Sequence, residues 1–246
     1  MYENFADVYD RLTDDVGYEK RTEYLLSLFE RFDRRPTLLL DLACGTGGFS
    51  NELSHRGISV IGVDISEEML AVASENSRNA GQNVLYLCQD AAELDLFGTV
   101  DGAVCCLDSL NHITDYGRFC KAVARVSLFL EPDRLFIFDL NTPYKHKEIL
   151  GSNTFVIDDD DVYCVWQNEY RSADGTVDMA LDIFKRNGNA YFRSGEFITE
   201  RAYTADEVRR AIASAGLELI AEYGDMGFEA PEKNEERIIY ITRKAG

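Results

Sequence analysis

Apolar positions follow two patterns that alternate along the first 150 residues. Between Tyr18 and Phe32, the residues Tyr18, Leu25, Leu26, Leu28, Phe29 and Phe32 recur at mostly three- and four-residue spacing. That spacing predicts an amphipathic helix, ended by Pro36. Leu38 to Leu42 is a continuous apolar run instead, the signature of a strand buried on both faces of a parallel sheet. Similar runs follow at Ser59 to Val63, Val84 to Cys88, Ala103 to Leu107 and Leu135 to Leu140. Helical stretches at Gly48 to Arg56, Glu67 to Asn79 and Tyr116 to Phe129 lie between them. Strand alternating with helix predicts a doubly wound α/β sheet.

The pattern then changes. Thr154 to Tyr203 reads as several longer strands joined by turns at Asp158 to Asp161, Ala173-Asp174-Gly175 and Asn187-Gly188-Asn189, an antiparallel insert. A helix follows from Thr204, with Glu207 three residues on as a capping box, to Gly216. Two strands, Leu217 to Tyr223 and Arg237 to Thr242, close the chain. The expected division is a core of residues 1–150 and 204–246, with 151–203 as a β insert that covers substrate or pairs subunits.

Composition narrows the class. A chain of 246 residues with 46% hydrophobic and 28% charged residues has the balance of one globular domain. No apolar run nears the roughly 20 residues that span a bilayer, and no secretory signal opens the chain, so a cytoplasmic protein is expected. The net charge of −19 disfavours a nucleic-acid partner, which needs clustered Lys and Arg; Arg31 with Arg34-Arg35, and Arg209-Arg210, sit among acids. Cys44, Cys88, Cys105, Cys106, Cys120 and Cys164 form no C-x-x-C pair, so no metal is expected and most read as small buried hydrophobes. The acids at Asp158 to Asp161 lack the spacing of a calcium loop and read as a solvated hairpin turn.

The chemistry concentrates at the ends of the predicted strands. Asp41-Leu42-Ala43-Cys44-Gly45-Thr46-Gly47-Gly48 runs from strand through a glycine turn into a helix, a backbone that can approach a ligand closely. Ser50 replaces the third glycine of the dinucleotide fingerprint, and an acid at Asp41 would repel a pyrophosphate. Asp41 suits a ligand carrying an ammonium and a sulfonium. Asp64, 19 positions after Gly45, ends the second strand and can accept from both hydroxyls of a ribose. Asp90 ends the third, placed to take an adenine amine, with Ile65, Met69 and Ala91 flanking the ring.

In this ordered set of acids and glycines, Asp41 to Gly47, Asp64 and Asp90, the sequence resembles the class I S-adenosylmethionine-dependent methyltransferases. The resemblance implies a seven-stranded Rossmann-like sheet whose final strand, matched by Arg237 to Thr242, is antiparallel. It implies S-adenosyl-L-methionine as methyl donor, held by Tyr9, Asp41, Ala43, Cys44, Gly45, Gly47, Asp64, Ile65, Met69, Asp90, Ala91 and Leu107. The opening Tyr2-x-x-Phe5-Ala6-x-x-Tyr9-Asp10, the segment Asp108-Ser109-Leu110-Asn111-His112 and the β insert resemble a small-molecule branch that includes sugar-amine N-methyltransferases. The Pro-Pro-aromatic motif of DNA amino-methyltransferases is absent.

Methyl transfer needs the acceptor held in line with the sulfonium and water excluded, and an N or O acceptor must lose a proton. His112 is the candidate base; the alternative is a histidine that caps the next helix or bonds a loop carbonyl. Tyr2, Phe5 and Tyr9 read either as a lid or as core packing, Trp166 and Tyr170 as core or interface, and His55 and His146 carry no assigned role. The partner expected is a small-molecule acceptor, the state a monomer or homodimer. Two rival readings stay open: a catalytically silent S-adenosylmethionine-binding module, and an NAD-dependent oxidoreductase.

Overall fold

A computed structural model describes residues 6–12, 16–32 and 35–246; Tyr2, Phe5 and Arg34 lie outside them. Two helices, α1 (Ala6–Leu12) and α2 (Tyr18–Phe32), precede the sheet. Strands β1 (Leu38–Leu42), β2 (Ser59–Asp64), β3 (Leu85–Cys88), β4 (Gly102–Cys105) and β5 (Leu135–Asn141) then alternate with α3 (Gly48–His55), α4 (Glu67–Asn79) and α5 (Tyr116–Phe129). After a π turn at Lys145–Leu150 come four long strands, β6 (Thr154–Asp159), β7 (Val162–Arg171), β8 (Thr176–Asn187) and β9 (Ala190–Arg201). Helix α6 (Ala205–Ser214) leads to β10 (Leu217–Gly224) and β11 (Arg237–Lys244).

Seven strands make one sheet in the order β10-β11-β5-β4-β1-β2-β3. β1 to β5 pair in parallel, and β11 is antiparallel to both neighbours. The doubly wound sheet with an antiparallel last strand is therefore present. Alternation along each strand sends side chains to opposite faces. Leu40, Leu42, Cys105, Phe136 and Phe138 pack with Phe119 and Val123 of α5 and Val208 of α6. On the other face Leu39, Val104, Ile137 and Ile241 pack with Leu28 and Phe29 of α2 and Leu53 of α3. Fully buried Phe29 and Phe119 each contribute roughly 1.5–3 kcal/mol of apolar burial.

Strands β6 to β9 form a separate antiparallel sheet. One of its faces, carrying Val162, Cys164, Val177, Met179, Leu181 and Ile183, packs with Ala6 of α1 and Met69 of α4. Of the acids at Asp158 to Asp161, Asp158 and Asp159 end β6, and Asp160 and Asp161 form the hairpin turn to β7. Where the sequence pattern runs β4 on to Leu107, the strand stops at Cys105, because Leu107 and Asp108 turn left-handed (φ 58° and 54°). Among the described residues, no helix is long and apolar enough to cross a membrane.

Candidate functional site

The turn after β1 needs its glycines for two separate reasons. Gly45 and Gly47 have φ of +54° and +82°, and a Cβ on Gly47 would come within 2.4 Å of the Tyr86 hydroxyl. A Cβ on Gly45 would meet no atom within 4 Å, so the backbone there borders open space. Ser50, at the third position of the glycine pattern, donates its hydroxyl to Asp41 Oδ2 at 2.6 Å. Asp41 is only 2% exposed. Burial pushes its pKa up to about 7 and the Asp64 charge adds to the rise, while the Ser50 hydroxyl opposes it.

Asp64 is tied to that turn. Its carboxylate accepts from Gly45 N at 2.8 Å and, through the other oxygen, from Ser66 N at 2.9 Å. Each oxygen keeps a lone pair for a further donor. Burial raises the Asp64 pKa and the backbone amides partly offset it. Ser66 then caps α4 by accepting from Met69 N at 3.1 Å.

A cavity of about 340 Å³ opens beside this turn at the carboxyl ends of β1, β2 and β4. Ala43, Gly45, Asp64, Ile65, Met69 and Leu107 form one side of it. Asp108, Ser109, His112 and Arg237 form its far end, with Tyr9, Leu12 and Val16 over it. The insert sheet lines it with Ile157, Trp166, Met179, Leu181, Ile198 and Glu200. The structure thus brings Tyr9, Ala43, Gly45, Asp64, Ile65, Met69, Leu107 and His112 together around one space. Asp41, Cys44, Gly47, Asp90 and Ala91 are not in its wall. Asp41 and Cys44 sit behind the turn, where burial raises the Cys44 thiol pKa. Asp90 is engaged elsewhere: it accepts from Ala92 N at 2.8 Å and pairs with Arg118. His112 caps no helix, since Asp115 performs that role for α5.

A buried polar network at the far end escaped the sequence reading. Arg237 of β11 donates to Asp108 at 3.1 Å and to Asp139 of β5. Asp139 in turn accepts from the amides of Leu107 (2.9 Å) and Asp108 (2.7 Å), which fixes the left-handed turn after β4. Burial penalises the Asp108 carboxylate, but Arg237, Lys145 and His112 outweigh it and hold its pKa down to about 2. Asn111 joins three segments: it accepts from Asn141 N at 2.9 Å and donates to the Asn141 and Arg201 carbonyls. The short turn Ser109–His112 is thereby clamped to β5 and β9, and His112 with it. Glu200 of β9 lies with one oxygen 3.6 Å from His112 Nε2 and the other 3.1 Å from His146 Nε2. Its one visible signal was an acid on the face of β9 that Ile198 also occupies, a face that carries Glu196 as well.

The described residues hold no group of three or more His, Cys, Asp or Glu arranged for a metal ion. The donor set around Asp64 fits an uncharged ribose and a cationic ligand rather than a pyrophosphate, since the acids at this turn repel phosphate.

Comparison with known proteins agrees with this chemistry. A family described as a methyltransferase domain matches residues 39–130. YqeM of Bacillus subtilis strain 168, named as a methyltransferase, is 31% identical over 246 residues, covering 100% of this chain and 98% of that protein. The crystal structure of an S-adenosylmethionine-dependent methyltransferase from Clostridium acetobutylicum ATCC 824 superimposes with a TM-score of 0.89 at 34% identity, covering 100% of this chain and 99% of that one. The fold is also shared, at 19% identity and a TM-score of 0.77, with the amino pentose methyltransferase CalS10 from Micromonospora echinaspora, solved with S-adenosylmethionine bound. That match covers 96% of this chain and 97% of CalS10.

Proposed function

The chain belongs to the S-adenosylmethionine-dependent methyltransferases, and on that premise we propose that it methylates a nitrogen or oxygen of a small molecule, with His112 as the acceptor's base. One observation carries the reading: a single cavity is lined by Gly45 and Asp64, by His112, and by residues of α1 and the insert sheet. A space walled on these sides admits a small acceptor and excludes a nucleic-acid duplex, which the net charge of −19 would also repel.

When bound, S-adenosylmethionine supplies a methyl group on a sulfonium, an electrophile that an acceptor lone pair displaces from sulfur. Gly45 would let the backbone close on the cofactor, and Asp64 would accept from the ribose hydroxyls with its remaining lone pairs. Ile65 and Met69 would pack against the adenine, and Ala43, Leu107 and Tyr9 would border the remainder. Asp41 contributes through its field, since it lies behind the turn. The insert excludes water through its apolar face, and His112 takes the acceptor's proton.

Two measurements test this. S-adenosylhomocysteine should raise the thermal midpoint, because a ligand bound only by the native state stabilises it by mass action, and NAD should not. Incubation of the protein in a metabolite extract with methyl-labelled cofactor should then yield a labelled small molecule. Stabilisation by NAD with no response to millimolar S-adenosylhomocysteine refutes the reading. Binding without any labelled product points to a silent cofactor-binding module.

A further inference from the structure

We propose that Glu200 is a positioning residue that fixes which ring nitrogen of His112 faces the acceptor, and that the buried His146 holds Glu200 in place. The proposal rests on His112 being the base, and carries that reading to residues outside it.

His146 sits in the π turn after β5 and is 0% exposed. Its Nε2 lies 3.1 Å from Glu200 Oε2, and its Nδ1 has no hydrogen-bond partner. A buried N–H without an acceptor costs a full desolvation penalty, whereas a bare ring lone pair asks for less. His146 therefore carries its single proton on Nε2 and donates it to Glu200. Asn141 adds a second donor to the same oxygen at 3.3 Å. Two donors from the core thus occupy Oε2 and leave Oε1 turned to His112 Nε2, 3.6 Å away.

The nearby cations do not serve Glu200. Lys145 donates to Asn141 Oδ1 at 3.0 Å, Arg237 pairs with Asp108 and Asp139, and Arg201 with Glu207. A carboxylate only 5% exposed is costly without opposite charge; of the two histidines beside it, buried His146 has no acceptor for a second proton at Nδ1, which leaves His112 to carry the charge. At 3.6 Å, within ion-pair reach, Glu200 Oε1 favours the His112 tautomer that carries its proton on Nε2, and that tautomer has its lone pair on Nδ1. The acceptor's proton moves to Nδ1, and the imidazolium formed lies against a carboxylate already in place. Because Glu200 belongs to β9, the insert takes part in the chemistry as well as covering it.

Histidine tautomers can be read directly from nitrogen-15 spectra of the full chain, which has three histidines. Spectra would be recorded with saturating S-adenosylhomocysteine at pH 8 and assigned through His→Asn variants. His146 should be wholly Nε2–H. His112 should favour Nε2–H about fivefold more than exposed His55 does, the effect of one net hydrogen bond. In Glu200→Gln that excess should vanish. Equal His112 ratios in wild type and Glu200→Gln overturn the proposal, whatever the methylation rate. A proton on His146 Nδ1 in the wild-type chain overturns it too, which keeps the test decisive if the variant does not fold. The expected ratios together with an unchanged labelling rate in His112→Asn would uphold the positioning while removing the base role.

Discussion

Replacing Asp41 with Asn should make the protein more stable, and increasingly so as pH rises. The carboxyl is held in the folded chain at a pKa of about 7, chiefly by burial, against an ordinary value of 3.8. Between those values the unfolded chain has released the proton and the folded chain still binds it. The unfolded state then binds fewer protons, so stability falls with rising pH and levels off above about pH 8. From pH 6 to 8.5 this one group removes roughly 1.4 kcal/mol, at 1.36 kcal/mol per pH unit over the part of the window below its pKa. The amide introduced by Asp41→Asn cannot ionise and can still accept from Ser50, so the variant should lack this slope. Urea denaturation at half-unit intervals measures both profiles, with the midpoint and m-value fitted at each pH. The stability difference between the two proteins should widen by that amount. Parallel profiles would show that Asp41 is ionised throughout and that its burial is compensated in some other way.

Asp64→Ala should weaken S-adenosylhomocysteine binding by about 1.5–3 kcal/mol, the size of a lost hydrogen bond to a charged group; unchanged affinity by calorimetry removes Asp64 from the site. His112→Asn should lower the rate of methyl transfer by about 10²-fold while leaving S-adenosylhomocysteine affinity intact, and equal turnover from pH 6 to 9 would count against the base role. Arg237→Met should cost about 3–5 kcal/mol, because Asp108 and Asp139 are left buried without their shared cation; chemical denaturation reads the loss, and a change under 1 kcal/mol contradicts it.

Much of the wall formed by Gly45 and Asp64 was legible because its signals are local. The strand, glycine turn and helix at Asp41 to Gly48 are contiguous, and Asp64 meets Gly45 across one β-α-β step. Helices Tyr18–Phe32, Glu67–Asn79 and Tyr116–Phe129 match the periodicity residue for residue. The network around His112 was not legible, because its meaning lies in pairs distant along the chain. Glu200 is 54 residues from His146, and Arg237 is 129 from Asp108. Trp166 read as core or interface, yet it stands in the cavity wall, since the same apolar side chain serves packing and a pocket. Asp90 shows another distant pairing: the acid at the end of β3 was legible in the sequence, but its ion pair with Arg118 on α5 was not.

The left-handed turn at Leu107 and Asp108 sets an order of assembly. Each residue there pays for a backbone conformation that side chains disfavour, on the order of 1 kcal/mol apiece. The compensation comes from Asp139 on β5 and from Arg237 on β11, so it arrives late during synthesis. A nascent chain stopped after β5 has every residue of the Gly45 and Asp64 turn, but Asp108 and Asp139 face each other without a cation. Such an intermediate should not hold the turn that carries His112. His112 would then be set in place only with the final strand, after every residue of the Gly45 and Asp64 turn is already present.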